Sequence, residues 1–348
     1  MLKFVHYLVL LSLFIPTQNI AKDFQKLGIP TGSSTGTYIQ FGKNIKEIVE
    51  KKHKAEIDIW VRESKGSVEN IEMLASKGEN AALAIVQSDV IGHFKKSGDS
   101  RYEGYARNLR LIFPFYNEEV HLLGNKEIKN ITDLEGKKVV VGPIGSGTSL
   151  TAWNLLHLMN VKPKEFINAS YEEAIDKVVT GEADAMFSVS GKPVKIFTTL
   201  SQMANEDDYK DGIAKIHFIP LDEKIMLSEY VEGELTPDDY SIIQETVPTV
   251  AVKAVLVAFD FSQGTTEYYQ TRCSQLRKIA TVIRQNIDIL KENKTAKWHK
   301  KWNEVNLSQT ISGWKRDACS HSDVKPENSD SSTKISLKCK LNPNAEGC

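Results

Sequence analysis

The chain has 348 residues, 41% of them hydrophobic and 26% charged, with a formal net charge of −1. This is the balance of an ordinary globular protein of about two domains. It supplies neither the basic field that recruits nucleic acid nor an acidic tail, so no nucleic-acid partner is expected.

The first element is the N-terminal segment. Lys3 gives a positive start, Phe4 to Ile15 is nearly all apolar, and Pro16-Thr17-Gln18-Asn19-Ile20-Ala21 follows. The run falls short of the ~20 residues a membrane-spanning helix needs and suits a signal-peptide core, against the alternative of a buried N-terminal helix. A signal peptide over 1–21 is therefore expected, with cleavage after Ala21 despite Asn19 standing where a small residue is preferred. No cysteine lies near this junction to carry a lipid, and no later stretch is apolar enough to span a membrane. The expected location is the periplasm, with the mature chain free.

Strand-like and helix-like segments then alternate. Gln25 to Pro30 reads as a strand, and Thr37 to Lys52 as a helix with Tyr38, Phe41, Ile45, Ile48 and Val49 on one stripe. Ile57 to Val61 reads as a strand. Ser67 can cap a helix that buries Val68, Ile71, Leu74 and Ala75 and stops at Gly78. Ala81 to Val86 is a buried strand candidate, and Ser88 to Lys96 a helix. Leu109 to Leu123 is a long extended candidate interrupted by Pro114 and Asn117-Glu118-Glu119. The grammar repeats: strand Lys138 to Val141, helix Thr148 to Met159 burying Leu150, Trp153, Leu155, Leu158 and Met159, helix Tyr171 to Thr180, and strand Asp184 to Val189. Val250 to Phe261 is a second β-branched run, and Arg272 to Glu292 a long helix.

This βαβα rhythm predicts α/β layers with parallel sheets. The two long extended runs read as crossovers between two lobes. Lobe I would comprise 24–118 plus 257–314, lobe II 119–256, and a Cys-containing tail 315–348. Cys273, Cys319, Cys339 and Cys348 all lie in the last quarter. In an oxidising compartment they allow two disulfides with three connectivities. Metal binding is the weaker reading, because no Cys-x-x-Cys pair occurs.

Three strand-to-helix junctions carry glycine and hydroxyl residues: Thr31 to Tyr38, Val86-Gln87-Ser88-Asp89, and Gly142 to Thr148. The first turn of a helix exposes unpaired N–H groups and a partial positive charge. Glycine admits a ligand close to the backbone, and Ser or Thr adds donors, so such junctions suit a carboxylate or similar anion. Each alone could be an ordinary cap; three, divided between the lobes, predict a shared cleft. Gly32-Ser33-Ser34-Thr35-Gly36 also fits a nucleophile elbow with Ser34 as nucleophile, but no His or acid has an evident triad place. Gly142 and Gly147 have P-loop spacing, yet Thr148 stands where the phosphate-binding Lys belongs. No His pair has zinc spacing, His157 reads as a helix-flank residue, and Lys300-Lys301 between Trp298 and Trp302 reads as a solvated helix face.

Taken in order, these motifs resemble the TAXI family of solute receptors for tripartite ATP-independent periplasmic (TRAP) transporters. The stretches are Thr31 to Tyr38, Gly66-Ser67-Val68-Glu69-Asn70, Ala84 to Val90, Asp133 to Val139 leading into Gly142 to Thr148, Asp184-Ala185-Met186-Phe187 with Gly191-Lys192-Pro193, and Val247 to Val252. The resemblance covers about 24 to 314. It implies a class II periplasmic-binding-protein fold, two α/β lobes with a ligand cleft between them. The implied function is capture of a small carboxylate, glutamate-like or another organic acid, for delivery to a TRAP-type membrane permease. It implies a monomer, no catalytic residue and no cofactor. Ligand contact is carried onto Ser34, Thr35, Gly36, Thr37, Tyr38, Gln87, Ser146, Gly147 and Thr148, and also Ser190 and Gly191. Three positions depart from the family pattern: the Ser33-Ser34-Thr35 run, Lys65, which faces either cleft or solvent, and Lys192. A sensory receptor for a membrane signalling protein, or an enzyme on the same fold, would use the same cleft.

Overall fold

The structure is a computed structural model that describes residues 26–76, 78–292 and 297–321. The expected signal peptide, Cys339 and Cys348 lie outside these residues.

The strands are β1 (Lys26–Pro30), β2 (Asp58–Arg62), β3 (Ala84–Gln87), β4 (Leu109–Asn125), β5 (Lys138–Val140), β6 (Glu165–Ile167), β7 (Ala185–Ser190), β8 (Ile216–Phe218), β9 (Val231–Leu235) and β10 (Val247–Phe259). The main helices are α1 (Thr37–His53), α2 (Ser67–Ala75), α3 (Val90–Lys96), α4 (Ser100–Asn108), α5 (Gly147–Leu158) and α6 (Tyr171–Val179). Three short helices follow, α7 (Lys195–Thr198), α8 (Leu200–Met203) and α9 (Asp207–Ile213). The long α10 (Glu267–Glu292) and the short α11 (Ala318–His321) close the described chain.

Helix α1 forms because its apolar residues recur every three or four positions. Phe41, Ile45, Ile48 and Val49 are buried while Lys43 and Glu47 face water. In α2 the expected pattern holds for Ile71 and Leu74, but Ala75 is exposed and Met73 takes the buried place. In α5, Leu150 and Leu155 are buried, whereas Trp153 is 44% exposed. Its indole stacks on His157 one turn later, ring centroids 5.1 Å apart, so the ring finds a partner outside the core.

Two α/β lobes share one strand order. In the first, β1 pairs with β2 in parallel and joins the edge of β3 through a bridge between Gly28 and Ala81; β10 then pairs β3, and β4 pairs β10. In the second, β6, β5, β7, β4 and β8 lie side by side. Each lobe thus runs second, first, third, crossing strand, fourth. β4 and β10 are long enough to serve both lobes, and they pair antiparallel where they cross. β4 continues unbroken through Pro114, which sits beside a shift of register where its missing N–H is tolerated. This is the class II periplasmic-binding-protein fold that the resemblance implies.

The chain after α10 packs against the first lobe instead of trailing away. Trp302 is fully buried and stacks on Phe41, ring centroids 4.3 Å apart. The Asp317 N–H donates to the Leu111 carbonyl at 2.9 Å, so packed chain extends beyond 314 to the end of α11. Cys273 on α10 is joined to Cys319 on α11, a sequence separation of 46. By loop-closure entropy a bridge of this span contributes roughly 3–4 kcal/mol. Changing both cysteines to serine is expected to lower the urea midpoint accordingly; an unchanged midpoint would show that packing alone holds this segment.

Among the described residues, no helix is long and apolar enough to cross a membrane.

Candidate functional site

A cavity of about 520 Å³ lies between the lobes. Its wall is built from residues that follow or end β1, β2 and β3 of the first lobe and β5, β6 and β7 of the second. This is the crevice outside the carboxyl ends of parallel strands, where α/β sheets bind ligands.

In the first lobe, buried Asn70 organises the loops. Its amide nitrogen donates to the carbonyls of Thr31 and Ile85, the latter at 2.7 Å, and its oxygen accepts from the Ser64 hydroxyl. The ends of β1 and β3 and the 64–66 turn are thereby held together. Gly66 has φ of 123°, a left-handed value that favours glycine. Gly36 and Gly66 are the N-caps of α1 and α2, and neither helix start carries a side-chain cap. Ser67 is the first residue of α2 and not its cap; its hydroxyl accepts the Gln87 N–H at 3.0 Å.

In the second lobe the starts of α5 and α6 are closed by their own serines, while α7, which begins on the cavity wall, has no side-chain cap. Ser146 accepts from the Ser149 N–H at 3.0 Å, and Ser170 from the Glu173 N–H at 3.3 Å. The Thr148 hydroxyl accepts the Val189 N–H at 3.0 Å and meets the Tyr171 hydroxyl at 2.9 Å, fixing α5, α6 and the end of β7 together.

Of the residues singled out in the sequence, Thr35, Gly36, Thr37, Tyr38, Gln87, Gly147, Thr148, Ser190 and Gly191 line the cavity. Ser34 does not; it stands in an exposed turn. Ser146 does not either, because its hydroxyl is spent on capping α5 and it is buried. Lys65, left open between cleft and solvent, lies on the wall with its side chain still exposed. Lys192, the third departure, pairs with Asp239 at 2.9 Å.

Sequence reasoning missed Glu118, Tyr171, Lys195 and His299, which also line the cavity. The signal for Glu118 was present: Asn117-Glu118-Glu119 interrupts a strand that is otherwise buried. Glu118 is 3% exposed and accepts a hydrogen bond from the Tyr38 hydroxyl at 2.6 Å. Burial pushes its carboxyl up to about 8; Glu119 and Asp89 add to the rise, and Tyr38 and Lys301 oppose it. Glu119 points elsewhere. Its two oxygens take the Lys301 ammonium at 2.8 and 3.1 Å, and Oε2 also accepts the Lys192 N–H at 3.0 Å. Lys301 is only 2% exposed, which corrects the reading of Lys300-Lys301 as a solvated face. Lys300 faces water, but the turn Lys300–Glu304 packs on β4 and drives Lys301 inward.

The lobes touch beside the cavity. The Glu69 N–H donates to the Gly145 carbonyl at 3.3 Å, and the Thr151 hydroxyl lies 3.2 Å from the Gln87 amide oxygen and 2.8 Å from Asp89 Oδ2. The Tyr230 hydroxyl adds a bond to Asp89 at 3.2 Å. Burial in this seam raises the Asp89 carboxyl to about 6.

The site therefore offers donors, two exposed lysines and helix starts without side-chain caps to the inter-lobe cavity, together with the carboxyls of Glu118 and the exposed Glu172. Solved structures show similar shapes at low identity. MatC from Rhodopseudomonas palustris with bound malate matches at 13% identity over 82% of this chain and 90% of that one, with a TM-score of 0.46. A candidate L-cystine ABC transporter from Listeria monocytogenes matches at 12% over 82% and 100%, TM-score 0.44. The GluR0 ligand-binding core from Nostoc punctiforme in complex with L-glutamate matches at 14% over 75% and 98%, TM-score 0.40. The model of the NMT1-like family matches residues 29–273, most of the described chain and all but one of the cavity's lining segments, and the protein belongs to that family.

Proposed function

We propose that this protein is an exported, periplasmic solute receptor that captures a small carboxylate and delivers it to a TRAP-type membrane permease. The observation that carries this reading is the start of α1, which has no side-chain cap and opens onto the inter-lobe cavity beside Lys65 and Lys195; at α2, likewise without a side-chain cap, the Glu69 N–H is already taken by the Gly145 carbonyl. Unpaired first-turn N–H groups and the helix dipole favour an anion there. The TRAP assignment rests on the ordered motifs that resemble the TAXI family.

In this mechanism the open protein binds the solute's carboxylate at the first lobe, through the 31–38 loop and Gln87. Rotation about β4 and β10 then brings Gly147, Thr148 and the Ser190-Gly191 turn onto the far side. The contacts of Asp89 with Thr151 and Tyr230 form as the lobes meet. Hinge closure of this kind buries the ligand and creates a surface that a permease can read. No bond is made or broken.

The test is a thermal-shift panel of L-glutamate, malate, succinate, alkyl sulfonates and neutral sugars on purified mature protein. A ligand that binds only the folded state raises its melting temperature by mass action. A small carboxylate is expected to raise it, with no turnover. Stabilisation by sugars alone, or a neutral molecule released from denatured protein and found by mass spectrometry, would refute the carboxylate reading.

A further inference from the structure

Glu118 stands where the two lobes meet, on β4 and on the cavity wall. Among the described residues its side chain has one hydrogen bond, from Tyr38, and no ion pair. Lys301, the cation that could neutralise it, is committed to Glu119 and to Glu304 at 2.7 Å. The other ionisable groups around it come from every neighbouring element. They are Tyr38 of α1, Asp89 before α3, Tyr116 and Glu119 of its own strand, Tyr171 of α6, and Glu304 with Lys301. Lys253 of β10 acts on Glu119 and Glu304, and His299 on the wall is kept neutral by burial, its imidazole lowered to about 4. Lys65, Lys195 and Glu172 of α6 stand on the wall in solvent.

We propose that Glu118 reads the solute as a neutral carboxyl group: Tyr38 holds Oε2, and the acid's own O–H, on the other oxygen, is donated to a carboxylate oxygen of the ligand. This rests on the small-carboxylate reading above. It resolves a conflict in that reading, since an ionised Glu118 would repel the anion that the helix starts attract. Burial of the side chain, 3% exposed, with a second carboxylate next in sequence favours the neutral acid, and the carboxyl, at about 8, holds its proton at neutral pH.

The consequence is a signed pH dependence. A bound anion adds a like charge and raises the carboxyl further, so binding takes up protons as the pH approaches and passes 8. Affinity is flat while Glu118 is protonated and falls by up to about tenfold for each pH unit above its free-protein value. Glu118→Gln keeps an N–H donor at this position without a titrating proton. Whatever its affinity at neutral pH, it should lose the alkaline fall.

The experiment is calorimetric titration of succinate and of L-glutamate between about pH 6 and about pH 9, in buffers of different ionisation heat, on wild type and Glu118→Gln. An infrared difference spectrum of the two ligand-free proteins at neutral pH should show a neutral-carboxyl band in wild type only. Proton uptake with an alkaline fall that Glu118→Gln removes supports the proposal. Proton release with affinity rising with pH would mean that ionised Glu118 pairs with an ammonium, and would overturn it. A pH-independent wild-type affinity, or no neutral-carboxyl band, also overturns it while leaving the carboxylate receptor standing. Failure of every carboxylate to bind removes both readings together.

Discussion

Gly147→Val is expected to fold as well as wild type and to bind its solute roughly 5- to 150-fold more weakly. Gly147 opens α5 in the second lobe, yet the space its Cβ would need belongs to the first lobe. A Cβ there would overlap the Gln87 amide and lie 2.8 Å from the Ser67 hydroxyl. Neither neighbour is free to swing aside cheaply: Ser67 holds the Gln87 N–H, and the Gln87 amide oxygen lies against Thr151. Gly66 closes the same gap from the other side, its own Cβ position being 3.2 Å from the Gly147 nitrogen. The backbone at 147 is ordinary helix, so valine strains nothing until the lobes meet. Overpacking costs about 1–3 kcal/mol, which falls wholly on the closed state and gives the stated loss. Calorimetry with the carboxylate identified by thermal shift measures the affinity, and small-angle scattering at saturating ligand reports compaction. Wild-type affinity in a fully compact variant would show that closure does not bring Gly147 onto Ser67 and Gln87.

Much of the fold is written in short-range pattern. The stripe Phe41, Ile45, Ile48, Val49 specifies α1, and long apolar runs, β-branched in β10, specify β4 and β10, because each signal lies within one element. Glycine and hydroxyl residues at strand ends mark the crevice for the same reason. Residues whose state depends on a distant partner were not legible. Lys301 looks like any surface lysine until Glu119, far away in sequence, is brought beneath it. Trp153 fits a buried stripe, but its stacking on His157 competes with core packing. Ser146 and Ser34 share their loops' chemistry with true wall residues; one is consumed as a cap and the other turned to solvent. Four cysteines permit three pairings, and only the packing of α11 on α10 selects Cys273 with Cys319. Glu118 lies between these cases: an acid in an apolar strand is visible in sequence, but not which of the adjacent pair, Glu118 or Glu119, faces the cavity.

Lys301→Ala is expected to cost about 3–5 kcal/mol of stability, because it leaves a buried charge without its partner. The Lys301 and Glu119 side chains are 2% and 7% exposed, so water cannot replace the lost ammonium. Glu119 already has its carboxyl raised by burial, with Lys301 the main opposing influence. Without the lysine it rises further and folding takes up a proton. A carboxyl raised in the folded state loses stability as pH increases, so the deficit should be largest above neutrality and shrink toward about pH 5. The double variant Lys301→Met with Glu119→Gln removes both charges and keeps an acceptor for the Lys192 N–H. It should recover most of the loss. Urea denaturation of the three proteins at two pH values measures this; a single-variant loss below about 1 kcal/mol, typical of an exposed pair, would show that the site is wet. The pair also has a position that stability alone does not require. Lys301 comes from the C-terminal segment fastened by the disulfide. Glu119 lies on the crossing strand next to Glu118, and its other partner, Lys192, lies within the turn that carries the cavity wall from Gly191 to Ile196. Loss of the lysine should therefore weaken solute binding by more than unfolding explains, whereas the double variant, with the Lys192 contact kept, should restore binding along with stability.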